Sequence, residues 1–147
     1  MTTRSGLGID VHPLVEGRPL LLAGVAIPFA KGLSGHSDGD VLVHAVIDAI
    51  LGGAALGDIG THFPSSDPSY RGVASTLLLE RTLELVQGQG WRTVFVDATI
   101  IAERPVLHPF MDRIAEGLAV SLHMDRGLVN LKAKTTDGLG FIGRGEG

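Results

Sequence analysis

Asp10-Val11-His12 sets a carboxylate and an imidazole two residues apart, and on a strand the side chains at i and i+2 point to the same face. Two such groups can share one cation. His44 offers a third donor from a predicted helix. An Asp/His/His set suits zinc in an open tetrahedral site whose fourth position takes water or substrate. Spacing alone leaves a plainer alternative open, a surface pair at a strand end beside an unrelated, internally satisfied helix histidine.

Three further stretches concentrate polar chemistry. His36-Ser37-Asp38-Gly39-Asp40 immediately precedes the His44 helix. It reads either as a hinged loop presenting an imidazole and a hydroxyl to an anionic ligand or as a capping turn. Gly57-Asp58-Ile59-Gly60, followed by Phe63-Pro64-Ser65-Ser66-Asp67-Pro68, is loop chemistry in which glycines let backbone amides approach a polar ligand. An ordinary surface loop would have the same composition. Lys132-Ala133-Lys134-Thr135-Thr136-Asp137 brings cations, hydroxyls and a carboxylate to a strand end, a combination suited to phosphate plus a hard cation such as Mg²⁺, or else to a flexible tail. The glycines at 138, 140, 143, 145 and 147 fit neither a P-loop nor a dinucleotide fingerprint. Arg144 and Glu146 are spaced for an ion pair. His62, His108 and His123 have no second ligand at metal spacing, and Tyr70, Trp91 and Phe95 read as packing.

Composition narrows the field. The 147 residues are 44% hydrophobic and carry a formal net charge of −4, which describes one globular domain spanning 1–147. The basic residues are scattered, so no nucleic-acid partner is expected. Without cysteine there is no disulfide, thiolate zinc site, iron–sulfur cluster or cysteine nucleophile, and any metal must be held by His, Asp or Glu. No signal-peptide pattern opens the sequence and no apolar run approaches 18 residues, so the expectation is a cytoplasmic protein with no membrane partner.

These groups need elements to hold them. Residues 7–12 alternate as a first strand, and 19–27 (PLLLAGVAI) supply more strand material before a turn-rich 30–39. Asp40 caps a predicted helix over 41–53, with Leu42, Ala45, Val46, Ala49 and Ile50 on one face and His44 and Asp48 looking out together on another. Residues 57–71 form a long loop. Ser75 caps a second helix to 87, residues 91–102 form a strand, Pro109 opens a third helix to 123, and 128–133 form a last strand. Strands alternating with helices predict an α+β two-layer sandwich, a single mixed sheet with helices on one face. Val94, Val96 and Ile100 against Phe95 and Ile101 make the 91–102 strand apolar on both faces, so the bare face predicts a homo-oligomer.

GIDVH (8–12), GHSDGDVLVHAVIDAILGGAALGDIG (35–60), FPSSDP (63–68), IIAERP (100–105) and TTDGLGFIGRGEG (135–147) together resemble the 2-C-methyl-D-erythritol 2,4-cyclodiphosphate synthase family, over essentially the whole chain and in the family's order. The resemblance implies a Bacillus chorismate mutase-like, ferredoxin-related fold, assembled as a homotrimer with active sites between neighbouring subunits. It implies a phosphorus–oxygen lyase of the non-mevalonate (deoxyxylulose-phosphate) isoprenoid route. In that reaction 4-diphosphocytidyl-2-C-methyl-D-erythritol 2-phosphate, a small cytidine diphosphate substrate, cyclises and releases CMP. By the same resemblance Asp10, His12 and His44 are ligands of one Zn²⁺ per subunit, with Asp10 and His12 also at the substrate. His36 and Thr135 match positions that stabilise the transition state, and Ser37 lies beside His36 on a mobile loop. Asp58, Gly60, Phe63, Ser65 and Asp67 match the methylerythritol and phosphate end. Ala102, Pro105, Leu107 and His108, with Lys134, match the cytidine pocket, which reads the base through backbone groups. Asp137 matches the carboxylate for a second ion, Mg²⁺ or Mn²⁺, across the α- and β-phosphates. Phe141 and Arg144 match substrate-side positions near the threefold axis.

The sequence departs from the family pattern at Ser65, where Asp is usual, and at Asp137, one methylene shorter than the common Glu. The family also continues beyond the position of Gly147 into an apolar stretch. Two other readings of the same residues stay open. One is a phosphohydrolase using the Asp10/His12/His44 ion to activate water, and the other is a trimeric binding protein with a structural zinc.

Overall fold

The computed structural model describes residues 2–147. Four short strands come first: β1 (Leu14–Glu16), β2 (Leu20–Leu22), β3 (Val25–Ile27) and β4 (Lys31–Leu33). Then follow α1 (Val41–Ala54), α2 (Ile59–His62), α3 (Ser75–Gly88), β5 (Val96–Ile101), α4 (Met111–Ser121), β6 (Val129–Lys134) and α5 (Gly140–Gly143). Short 3₁₀ turns lie at Pro68–Tyr70, His108–Phe110 and Arg126–Leu128.

The three long helices, α1, α3 and α4, form where apolar periodicity puts them, whereas α2 and α5 are single turns of helix inside the expected 57–71 loop and the glycine-rich tail. In α1 the predicted cap is present, Asp40 Oδ1 accepting the Val43 N–H at 3.2 Å, and Leu42, Val43, Val46, Ile47 and Leu51 are buried. Leu78, Leu79 and Val86 of α3 and Ile114, Ala115 and Leu118 of α4 complete one core with Leu20, Leu22, Ile27 and Leu33 of the small strands. Truncating a fully buried member such as Ile47 or Leu79 to Ala would cost about 2–5 kcal/mol.

The expected single sheet is three separate ladders. Strands β1 and β4 pair antiparallel, as do β2 and β3, while β5 and β6 run parallel from Val96↔Val129 to Ile101↔Lys134. The sheets are mixed in sense but do not join. Residues 7–12, expected as a strand, have its alternating burial but no ladder. They lie flat on α1 because Gly6 and Gly8 allow it: a β-carbon there would fall 1.8 Å from the Ala49 carbonyl oxygen and 1.9 Å from that of Ala45. An apolar groove of about 770 Å³ separates this segment from β5. The strand expected over 91–102 is shorter for the same reason, since residues 91–95 face that groove without a ladder partner. Leu7, Ile9, Val11, Val94, Phe95 and Ile101 are all exposed.

Candidate active site

The burial of residues 9–12 alternates, with Ile9 and Val11 exposed and Asp10 and His12 half-buried. His44 lies in the first turn of α1 and is buried there. Its side chain does not look outward with Asp48, as helical spacing suggests. It meets Asp10 and His12, while Asp48 turns to accept the Ile59 N–H at 2.7 Å. The apolar stripe of α1 is wide enough to sink His44 beneath segment 7–12.

Three ligand atoms converge. His12 Nε2 stands 2.7 Å from Asp10 Oδ2, and His44 Nδ1 stands 3.1 Å from each of them. The His12 Nδ1–H donates to the Ser34 carbonyl, which leaves the Nε2 lone pair facing inward. Ligand atoms around a tetrahedral ion with bonds of about 2.0–2.1 Å are about 3.3 Å apart, so shifts of a few tenths of an ångström would seat one. Burial opposes charge on Asp10, but the paired imidazoles of His12 and His44 outweigh it and hold the carboxyl well below the usual range. Asp10 in turn pulls the His12 imidazole above its ordinary value, against its burial. The centre therefore stabilises positive charge, and a divalent cation fits it. Among the described residues it is the one cluster of three such side chains close enough to hold a metal.

The polar loop closes over this centre. Ser37, buried, places its Oγ 3.0 Å from His44 Nε2. The His36 Nε2–H donates to the Asp67 carbonyl at 3.2 Å, so loop 35–40 leans on segment 63–67. There Asp58 caps α2, its Oδ1 accepting from Thr61 N and Oγ1. Asp67 caps the turn at Pro68–Tyr70, and the Phe63 and Tyr70 rings meet edge-on at 5.5 Å. Hydrogen bonding to Thr61 and to Ser69 holds the Asp58 and Asp67 carboxyls below their usual range. Gly60 lies in α2 and Ser65 is exposed.

A second group forms at the C-terminal ends of β5 and β6. Their parallel register sets Ala102 beside Lys134, whose carbonyl accepts the Ala102 N–H at 3.0 Å, and Glu103 accepts the Thr136 N–H at 3.3 Å. Pro105 is half-buried, His108 is exposed and the Leu107 side chain is in the core. Thr135 and Asp137 are exposed, and Asp137 adopts a positive φ of 53°. Phe141 and Arg144 follow in and after α5, where Arg144 Nε pairs with Glu146 at 2.6 Å as its spacing predicts. Among the described residues no hydrogen bond or ion pair joins residues 102–108 and 134–137 to the Asp10 centre.

A family model described as the YgbB family matches residues 3–147. The chain belongs to the YgbB family. A curated relative, the 2-C-methyl-D-erythritol 2,4-cyclodiphosphate synthase of Desulfatibacillum aliphaticivorans, is 55% identical over 144 residues, covering 98% of this chain and 93% of that one. The bifunctional IspDF of Campylobacter jejuni superposes with a TM-score of 0.94 at 43% identity over 99% of this chain, which spans 39% of that longer protein. A CDP-bound form of 2C-methyl-D-erythritol-2,4-cyclodiphosphate synthase superposes at 0.87 and 38% identity, over 92% of this chain and 91% of that one.

Around the centre of this YgbB-family chain are residues to which sequence pattern alone assigns no role there. Arg18 reaches under the loop, its guanidinium donating to the Ser37 carbonyl at 3.1 Å and the Gly35 carbonyl at 3.4 Å. No spacing signals it. Ser75 is not the expected cap of α3: Ala74 holds that position without a side-chain bond, and the Ser75 hydroxyl points inward to His44 Nε2 at 2.8 Å. Asp38, grouped with the capping turn, holds Ser75 through both its oxygens. No helix of the described residues is long and apolar enough to cross a membrane.

Proposed function

We propose that the chain catalyses the reaction its family relatives are named for, the closure of 2-C-methyl-D-erythritol 2,4-cyclodiphosphate. The carrying observation is the convergence of Asp10 Oδ2, His12 Nε2 and His44 Nδ1 in a pocket that favours positive charge. In 4-diphosphocytidyl-2-C-methyl-D-erythritol 2-phosphate, an oxygen of the 2-phosphate attacks the β-phosphorus. The new P–O bond forms as the bond from the β-phosphorus to the bridging oxygen breaks, and CMP leaves with that electron pair. The nucleophile belongs to the substrate, so the protein contributes position and charge stabilisation.

Asp10, His12 and His44 are the proposed holders of one zinc ion, which when bound supplies Lewis acidity to the phosphate oxygens. His36, with Thr135, is the proposed stabiliser of the transition state at the same phosphates, and Ser37 lies beside it on the loop. Asp58, Gly60, Phe63, Ser65 and Asp67 line the polyol end. Ala102 to His108 and Lys134 take the cytidine, with Thr135 at the diphosphate and Asp137 as an oxygen ligand for Mg²⁺ or Mn²⁺. Phe141 and Arg144 complete the substrate side.

The unjoined metal and β5/β6 groups, together with the exposed apolar side chains of 7–11 and 94–101, support a trimer in which one subunit's metal centre faces its neighbour's nucleotide pocket. The ferredoxin-related fold name and a cytoplasmic location, suited to a charged soluble substrate, belong to the same reading. Incubation with substrate followed by phosphorus NMR tests it. A cyclic diphosphate plus CMP is expected. A linear product would favour the hydrolase, and unchanged substrate a binding protein.

A further inference from the structure

His44 uses both ring nitrogens, and the second leads away from the metal ligands. Nδ1 faces Asp10 and His12, while Nε2 lies 2.8 Å from Ser75 Oγ and 3.0 Å from Ser37 Oγ. Ser75 is fully buried at the first position of α3. Its hydroxyl proton is already committed, because Ser75 Oγ donates to Asp38 Oδ1 while Asp38 Oδ2 accepts the Ser75 N–H at 3.0 Å. Toward His44 the Ser75 oxygen can therefore only accept. Ser37, 3.2 Å from Ser75 Oγ, has that same oxygen's remaining lone pair as an acceptor. The polarity of the chain is thus set: His44 Nε2–H to Ser75 Oγ–H to the Asp38 carboxylate. A hydrogen bond on one imidazole nitrogen decides which nitrogen is free to ligate.

The geometry points to Ser75 and Asp38 as positioning residues for His44, a serine-bridged carboxylate that fixes the ligating nitrogen and ties it to the loop carrying His36 and Ser37. This rests on the reading of Asp10, His12 and His44 as metal ligands. The tie to the loop is physical. The Asp38 N–H donates to the Val73 carbonyl at 3.1 Å and the Gly72 N–H donates to the His36 carbonyl at 2.8 Å. The groups that orient His44 therefore also clamp the loop to the start of α3. Order in the loop and affinity at the metal are coupled, and such coupling acts equally in both directions.

The test measures zinc affinity of the full chain by competition with a chromophoric chelator for wild type, Ser75→Ala, Asp38→Asn and His12→Ala. The ring-nitrogen NMR shifts of His44 are recorded alongside in the metal-free protein. Ser75→Ala should weaken zinc binding roughly 10–100-fold, the range for losing a partner of a metal-bound imidazole. His44 should change from the Nε2–H tautomer to a mixture, and Asp38→Asn should move both readouts in the same direction. Wild-type affinity and tautomer in Ser75→Ala, with zinc binding abolished in His12→Ala, would overturn the relay and leave the metal centre intact. Wild-type affinity in His12→Ala as well would overturn the metal centre itself. If Ser75→Ala does not fold, Asp38→Asn decides alone, and unchanged readouts there reject the relay.

Discussion

Gly8 lies so close to Ala45 that a β-carbon on Gly8 would sit 1.9 Å from the Ala45 carbonyl oxygen. The obstacle is helix backbone, which cannot swing aside. The segment that carries Asp10 and His12 is thus held at a fixed height above the helix that carries His44.

Gly8→Ala should therefore lift that segment and spoil the convergence of the three ligands. The expected cost is about 1–3 kcal/mol or more from overpacking, together with metal content below stoichiometric. Gly52→Ala is the control, because nothing lies within 4 Å of a β-carbon there and the helix should gain up to about 1 kcal/mol. Thermal melts and elemental analysis of both variants check this. Equal behaviour would show that the close approach does not set the site.

His44→Ala should purify folded but hold little zinc, since two remaining ligands bind far more weakly than three. Turnover should fall with the metal content. Full occupancy by elemental analysis with normal turnover would remove His44 from the ligand set.

Asp40 is fully buried, accepting the Gly24 N–H at 2.7 Å as well as that of Val43. Burial pushes its carboxyl up to about 6 from an ordinary 3.8. The folded state then binds this proton more tightly than the unfolded chain does. Its contribution to stability is full below about pH 4, falls as pH rises toward 6, and is flat above that. The loss is roughly 3 kcal/mol, since each unit is worth about 1.4 kcal/mol. Asp40→Asn cannot titrate. Urea unfolding at pH 4 to 7 should show wild type losing stability relative to the variant across that window, whereas parallel curves would refute the burial argument.

Asp137→Asn keeps the positive-φ turn, which Asn tolerates, and removes the charge. If Asp137 holds the second ion, kcat should fall roughly 10²-fold, about 3 kcal/mol of barrier, with partial rescue by excess Mg²⁺ and zinc content unchanged. A kcat within about threefold of wild type and indifferent to Mg²⁺ would leave the residue a turn former.

Much of this is legible in the residues. The spacing of Leu42, Val46 and Ile50 marks α1, and Asp40 marks its start. Asp10 and His12 share a face by period alone, so the chain's own pattern pairs them. His44 needs the fold, because a helix position does not say whether its neighbour is solvent or an overlying segment. Ser75 reads as a cap for a physical reason: a serine beginning a helix usually satisfies its own backbone, and here its hydroxyl donates to Asp38, 37 positions earlier, and its oxygen meets His44, 31 positions earlier. Arg18 and the separate ladders depend on contacts between distant segments, which local periodicity does not encode.

The apolar groove beside β5 and the bare side chains of Leu7, Ile9 and Phe95 carry a thermodynamic consequence. If neighbouring copies cover them, as proposed, the folded state becomes a product of association, and its stability follows mass action. Dilution would lower the melting temperature and concentration would raise it. A single melting curve would then describe the solution it was measured in as much as the chain.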